Sequence, residues 1–342
     1  MNRAFDICPE KRASKLHFLY RQLFVTPPPV SAKVFDLEGK TAIVTGSNGG
    51  LGMESARQLL DLGCRVILTV RDESKGERAR EELAKGRHLQ TDSIQVWKLD
   101  LVSYESCICF VDRAKKLDNL DIAILNAGVF NVHETFASTG YEESVQVNYL
   151  STMLLAVLLL PVIREKRIGS EPGRVIIVSS DTSSWVKFEE RCSDPLLPAF
   201  KTQSTNWNMS ERYGTSKLLG QLFLTELAKR VRPAEVIISC ANPGLCRGSN
   251  LGRQAGSLLW IVYTTSLYLL GRTCTIGART CVHAAVVLGE DSHGQYIEDA
   301  KMQPMPPLVY TAEGQRIAKL LYEETLAELS FAGLRQVLEQ LR

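Results

Sequence analysis

The stretch "KTAIVTGSNGGLG", residues 40–52, decides the fold. A β-rich run enters a glycine turn, and the helical pattern through "ESARQLLDLG" follows at once, ending at Gly63. The glycines Gly46, Gly50 and Gly52 are spaced G-x-x-x-G-x-G between a strand and a helix, the setting in which such a triplet carries weight. Gly46 permits a tight turn, and Gly50 lets the backbone approach a pyrophosphate. Gly52 allows close helix–strand packing, while the helix N-terminus attracts the anion. The alternative is that these glycines serve only the turn.

Outward from this unit the alternation repeats. "CRVILTV", "SIQVWKLD", "LDIAILNAG", "GRVIIVSS" and "AEVIISCANPG" read as further strands, with helical segments such as the charged "ESKGERAREELAKG" between them. Strands apolar on both faces, separated by helices, imply a parallel sheet covered on both sides. The fold class is therefore α/β: a single Rossmann-like domain, doubly wound, with helices on both faces of the sheet. Residues 1–35 read as an N-terminal arm, because "TPPP" can neither continue a helix nor join a central strand. Within it, "FLYRQLF" has the pattern of a short helix laid on the body. The domain proper is placed at 36–330 and a C-terminal tail at 331–342.

Composition narrows the classes. Of 342 residues, 45% are apolar and 23% charged, a globular balance, and a net charge of +2 gives no field favouring nucleic acid. The nine cysteines form no Cys-x-x-Cys pair and no zinc-like cluster, so no metal is expected. Cys107 and Cys109 fall in a helical pattern where i,i+2 side chains diverge. Charges stand where a secretory core would lie, so reduced thiols in a cytoplasmic protein are expected. The apolar runs 149–163 and 257–271 are shorter than the ~20 residues a spanning helix needs. The first reads as a core helix or subunit interface, the second as a core or pocket helix, with shallow membrane attachment its lesser reading.

A dinucleotide site needs a ribose ligand at the end of the second strand, commonly Asp or Glu for NAD. Here that strand ends "LTVRDES", placing Arg71 there with Asp72 behind. A guanidinium stabilises a 2′-phosphate by charge-assisted contact, so charge matching favours NADP(H) over NAD(H). Ser47 and Asn48 in the turn are candidate hydrogen-bond partners. The alternative makes Arg71 a solvated loop residue and Asp72 the ribose ligand.

"TGSNGGLG", "LNAG" (125–128), "VNYLS" (147–151), "VSS" (178–180), "YGTSK" (213–217) and "NPG" (242–244) together resemble the short-chain dehydrogenase/reductase family, in its order and over about residues 38–300. The flavour is similar to the retinol-dehydrogenase-like branch and to fungal secondary-metabolism reductases. Carbonyl reduction needs hydride at carbon and a proton at oxygen. Tyrosine, with a pKa near ~10, needs a nearby cation to favour its phenolate. Tyr213 and Lys217 stand i,i+4 on one helix face. The resemblance implies Tyr213 as acid/base, and Lys217 as its tuner and a ligand of the nicotinamide ribose. It implies Ser180 as the holder of the substrate oxygen, with Ser179 the alternative, and Asn148 as a proton relay through water. Asn148 could instead only cap or bend its helix. By the same resemblance Asn126, Ala127 and Gly128 line the adenine-ribose side, and Asp100 receives the adenine amino group unless it is a capping residue. Leu51 and Leu101 accompany them, and Pro243 and Gly244 shape the loop facing the nicotinamide.

Two departures stand out. Where related loops place Ser or Thr after "PG", this chain has Gly248, with Ser249 next. Between Ser180 and Tyr213 lies a long insertion carrying Trp185, Phe188, Phe200 and Trp207, read evenly as pocket wall or surface decoration. The lid expected at about 249–275 is apolar, with Leu258, Leu259, Trp260, Ile261, Val262 and Tyr263. The implied function is NADP(H)-dependent reduction of a ketone or aldehyde on a hydrophobic small molecule, or the reverse oxidation. A non-catalytic NADP-binding scaffold and an epimerase or dehydratase are the alternatives. Apolar faces on the helices at 149–163 and 213–231 point to a homodimer.

Overall fold

The computed structural model describes residues 5–90, 92–249, 251 and 268–341. Six parallel strands form where the apolar runs predict them: β1 Thr41–Thr45, β2 Arg65–Val70, β3 Ile94–Lys98, β4 Ile122–Leu125, β5 Gly173–Val178 and β6 Val236–Asn242. A short parallel pair, β7 Cys246–Arg247 and β8 Arg272–Thr273, lies apart from this sheet. Two strands that the sequence pattern does not announce, β9 Tyr296–Glu298 and β10 Lys301–Gln303, extend the main sheet, β9 parallel to β6 and β10 antiparallel to β9. The sheet order is β10-β9-β6-β5-β4-β1-β2-β3. The order reverses between β1 and β4, the switch point where open α/β sheets bind ligands.

Alternation along β1 explains the two layers. Ala42 and Val44 face α3 (Gly50–Asp61), α4 (Glu73–Ala84) and α8 (Cys274–Val286), while Ile43 belongs to the core formed with α5 (Tyr104–Ala114), α6 (Glu143–Lys166) and α7 (Met209–Leu227). Among the described residues α6 is the one helix long and apolar enough to cross a membrane, and it is almost wholly buried in this core. The run 257–271 lies mostly outside the described residues, as does the lid over 252–267 with its six named apolar residues.

One expectation is corrected here. The apolar faces of the helices at 149–163 and 213–231 are covered within the chain itself, by α9 (Ala312–Glu328) and α10 (Leu334–Glu339). Phe223 of α7 stacks on Tyr322 at 5.2 Å, and Tyr149 bonds Thr325 at 2.5 Å. Leu334, Leu338 and Leu341 are buried in the same core, so the tail is a packed helix. The argument for a homodimer through these faces therefore falls. The N-terminal segment is likewise built into the body: its helices, α1 (Pro9–Ala13) and α2 (Lys15–Phe24), send Arg12 and Arg21 into the interior. In the 181–208 insertion Phe188, Leu196, Leu197 and Phe200 are buried, and Glu324 of α9 accepts from the Leu196 and Leu197 amides.

Candidate active site

The helix α7 begins at an Asn208 cap whose side chain accepts from the Ser210 and Glu211 amides, and it carries both Tyr213 and Lys217 to the carboxyl ends of β4 and β5. Lys217 is buried, and its Nζ donates to the Val178 carbonyl at 2.9 Å. The ammonium lies 5.7 Å from the Tyr213 ring centroid. Burial pushes the Lys217 pKa down to about 8, so at neutral pH the group is still mainly charged. Its neighbour Cys240 is pushed up to about 12 by burial and stays a neutral thiol. Phe130 meets the Tyr213 ring edge-on at 5.1 Å, giving the phenol an apolar wall.

Asn148 stands in a π-helical stretch, Gln146–Ser151, inside α6. Such a widened turn is frequent at functional sites. Asn148 Oδ1 accepts from the Val129 amide at 2.8 Å, and Nδ2 donates to the Val129 carbonyl at 2.9 Å and to Ser216 Oγ at 3.0 Å. Ser216 in turn donates to the Tyr213 carbonyl at 2.7 Å, so Asn148 is tied to the helix that bears the tyrosine. Sequence reasoning missed Ser216, although it lies inside "YGTSK". A Cβ on Gly128 would sit 2.9 Å from Asn148 Oδ1 and 3.5 Å from Lys217 Nζ, which explains a glycine there.

The two serines after β5 part as alternation requires. Ser179 is buried, its Oγ accepting from Gln221 Nε2 at 2.6 Å, whereas Ser180 is half-buried and its Oγ accepts from Thr182 Oγ1 at 3.0 Å. Ser180 is thus the serine of the pair nearer to solvent. Asn242, before Pro243, caps the next loop by accepting from the Gly244 amide at 3.0 Å. Gly244 has φ +75° and Gly248 φ +80°, the left-handed region that favours glycine.

The residues of the glycine turn fit a dinucleotide. Gly46 has φ +66° and a Cβ on it would lie 3.0 Å from Ala127, while one on Gly52 would lie 2.5 Å from the Gly46 carbonyl. The N-cap of α3 is Gly49, which has no side chain to cap the helix, so the first turn's amides suit an anion. Asn126 Nδ2 donates to the Thr45 carbonyl at 2.8 Å and Thr45 Oγ1 accepts from the Ala127 amide at 2.9 Å, locking β4 to β1. Asp100 Oδ1 accepts from the Val102 amide at 3.1 Å; the Leu101 side chain is in the core, and Leu51 is half-buried at the start of α3.

Ser47 requires a correction. Its side chain is fully buried, donating to the Val44 carbonyl at 2.9 Å and accepting from the Thr69 amide at 3.0 Å, so the hydroxyl joins β1 to β2 and offers nothing to a ligand. Asn48, next in the turn, is half-buried. Arg71 is exposed at the end of β2. Asp72 caps α4, accepting from the Ser74 amide at 3.0 Å and the Ser74 hydroxyl at 2.6 Å.

The profile of the short chain dehydrogenase family matches residues 40–189. A short-chain dehydrogenase of Aspergillus ruber, fogG, is 55% identical over 98% of both chains. This chain belongs to the short-chain dehydrogenase family. It is an oxidoreductase of that family, whose members bind a nicotinamide cofactor. Among solved structures it is similar in fold to an uncharacterized protein of Mycobacterium Paratuberculosis, with TM-score 0.63 and 24% identity over 89% of this chain and 98% of that one. A chain from Beutenbergia cavernae solved with NADP at low occupancy is also similar in fold, with TM-score 0.57 and 19% identity over 78% and 96% of the two chains.

Proposed function

We propose that the protein is an NADP(H)-dependent reductase of a ketone or aldehyde on a hydrophobic small molecule, working also in the alcohol-oxidising direction, in secondary-metabolite biosynthesis. The observation that carries the reading is that buried Lys217, 5.7 Å from the Tyr213 ring, bonds the Val178 carbonyl two residues before half-buried Ser180, while buried Asn148 is tied through Ser216 to the helix that bears Tyr213. The nicotinamide, when bound, supplies or accepts the hydride.

The chain's own residues handle the oxygen and its proton. Ser180 Oγ holds the substrate oxygen, and Tyr213 gives it a proton, or takes one in oxidation. Lys217 favours the phenolate by its charge, worth about 3 kcal/mol at ~6 Å in an effective dielectric of ~20. Asn148, anchored by Val129 and Ser216, holds the proton path to Lys217. Preference for NADP(H) is supported by exposed Arg71 and by the commitment of Asp72 to its helix cap, which leaves the guanidinium as the group suited to a 2′-phosphate. The NADP-bound Beutenbergia cavernae chain accords with this reading. We place the enzyme in the cytoplasm, in keeping with its free thiols.

NADPH oxidation across a panel of apolar ketones and aldehydes tests the reading. Carbonyl-dependent consumption that Tyr213→Phe abolishes is expected. Product formation without net NADPH turnover would identify an isomerising fold-mate instead, and cofactor binding with no turnover across the panel would favour a scaffold.

A further inference from the structure

The N-terminal helices carry charges that the reaction does not use and that folding alone would not favour. Arg12, Arg21 and Arg272 are buried against Asp181, Glu298 and Asp299. Arg12 Nη2 reaches Glu298 Oε1 at 2.5 Å and Asp181 Oδ1 at 3.4 Å, and its Nη1 donates to Ser184 Oγ at 2.8 Å. Arg21 donates to the same Asp181 oxygen at 2.6 Å and to Asp299 Oδ2 at 2.8 Å, while Arg272 takes Asp299 Oδ1 at 2.6 Å. Asn242 Nδ2 closes the group, donating to Asp181 Oδ2 at 2.8 Å and Glu298 Oε1 at 2.9 Å. Three cations face three carboxylates, so the cluster is neutral. Desolvating this many charges is a poor way to gain stability, and fixing register is the best-attested use of such a group.

What it registers is the substrate side of the site. Asp181 follows Ser180 directly, and Asn242 precedes Pro243 and Gly244. Gln22, one residue after Arg21, donates to the Leu245 carbonyl at 2.7 Å and accepts from the Leu245 amide at 3.1 Å. The Arg272 amide donates to the same Leu245 carbonyl at 3.0 Å, and β7 pairs with β8 immediately beyond. Leu245 precedes β7 and Arg272 opens β8, so α2 holds both strands of the pair where they start. The glycine turn, Arg71 and Asn126 contribute no side chain to the cluster.

We propose that Arg12, Arg21 and Gln22 are positioning residues for the carbonyl substrate. The arginines act through Asp181 on Ser180, and Gln22 acts through Leu245 on the strand pair β7–β8. The assignment rests on the reductase reading. Gln22→Ala removes two hydrogen bonds and leaves every charge paired, so it tests the clamp in a folded protein; Arg21→Gln tests the ionic arm. Three measurements on the full chain decide: amide hydrogen exchange, NADPH affinity by fluorescence titration, and KM and kcat for the apolar diketone 9,10-phenanthrenequinone. For Gln22→Ala, exchange should quicken at 244–248 and 270–273, KM should rise about tenfold with kcat within about threefold, and the NADPH Kd should hold within about twofold. Arg21→Gln should quicken exchange at 181–184 and lower kcat as well. Unchanged exchange at these segments, or a parallel loss of NADPH affinity, overturns the clamp. Quickened exchange in Gln22→Ala with no turnover by the wild type on any carbonyl overturns the reductase reading and leaves the clamp standing.

Discussion

Lys217→Met should stabilise the ligand-free protein while abolishing its chemistry. The ammonium is buried and donates to the Val178 carbonyl, and burial brings its pKa from 10.5 to about 8. At about 1.4 kcal/mol per pKa unit, keeping that charge at pH 7 costs the folded state about 3 kcal/mol. Methionine fills similar volume without the charge but leaves the Val178 carbonyl short of a donor, which costs about 1 kcal/mol. The net expectation is about 2 kcal/mol of added stability at pH 7, or ~2–4 °C in Tm for a chain of this size. The pH dependence gives a second check. A lysine whose folded pKa is depressed binds fewer protons in the folded than in the unfolded state between about 8 and 10.5, so wild-type stability rises with pH across that window. The advantage of Lys217→Met should therefore shrink as pH climbs from 7 to 10. Thermal unfolding of both proteins at pH 7 and pH 9.5, beside carbonyl-dependent NADPH oxidation, measures it. A variant less stable than wild type at pH 7, or an advantage that grows with pH, would refute the reasoning.

Two further outcomes are expected. Arg71→Ala should weaken NADPH about 10- to 100-fold while leaving NADH within about threefold, measured by titration with each cofactor, because the lost contact is a charge-assisted pair to the 2′-phosphate. Light scattering on the full chain should give the mass of a monomer at micromolar concentration, since α9 and α10 cover the faces of α6 and α7 within one chain; a stable dimer would require another surface.

What the sequence made legible follows from how local each signal is. The glycine turn, the Tyr213–Lys217 pair and the six central strands are short-range patterns, and each occupies the place its pattern predicts. The strands β9 and β10 escaped because each is three residues long, joined through Asp299 and Ala300, both at positive φ. Ser47 was misjudged because a polar residue in a turn reads the same whether it faces a ligand or joins two strands. The helix faces could not carry the dimer expectation, because apolar faces do not say whether their cover comes from a second copy or from residues 312–341 of the same chain. Arg12 and Arg21 pair with residues 160 to 286 positions away, beyond any window of pattern reading.

The central claim is that Tyr213 delivers a proton to a carbonyl oxygen while its carbon is reduced. Incubating the protein with an apolar ketone and NADPH deuterated at the transferable C4 position, then analysing the alcohol by mass spectrometry, tests this most directly. The account predicts one deuterium on the carbinol carbon with wild type and a loss of at least about 10³-fold in that product with Tyr213→Phe. Deuterated alcohol formed equally well by Tyr213→Phe, or no deuterium in any product of the wild type, would contradict it.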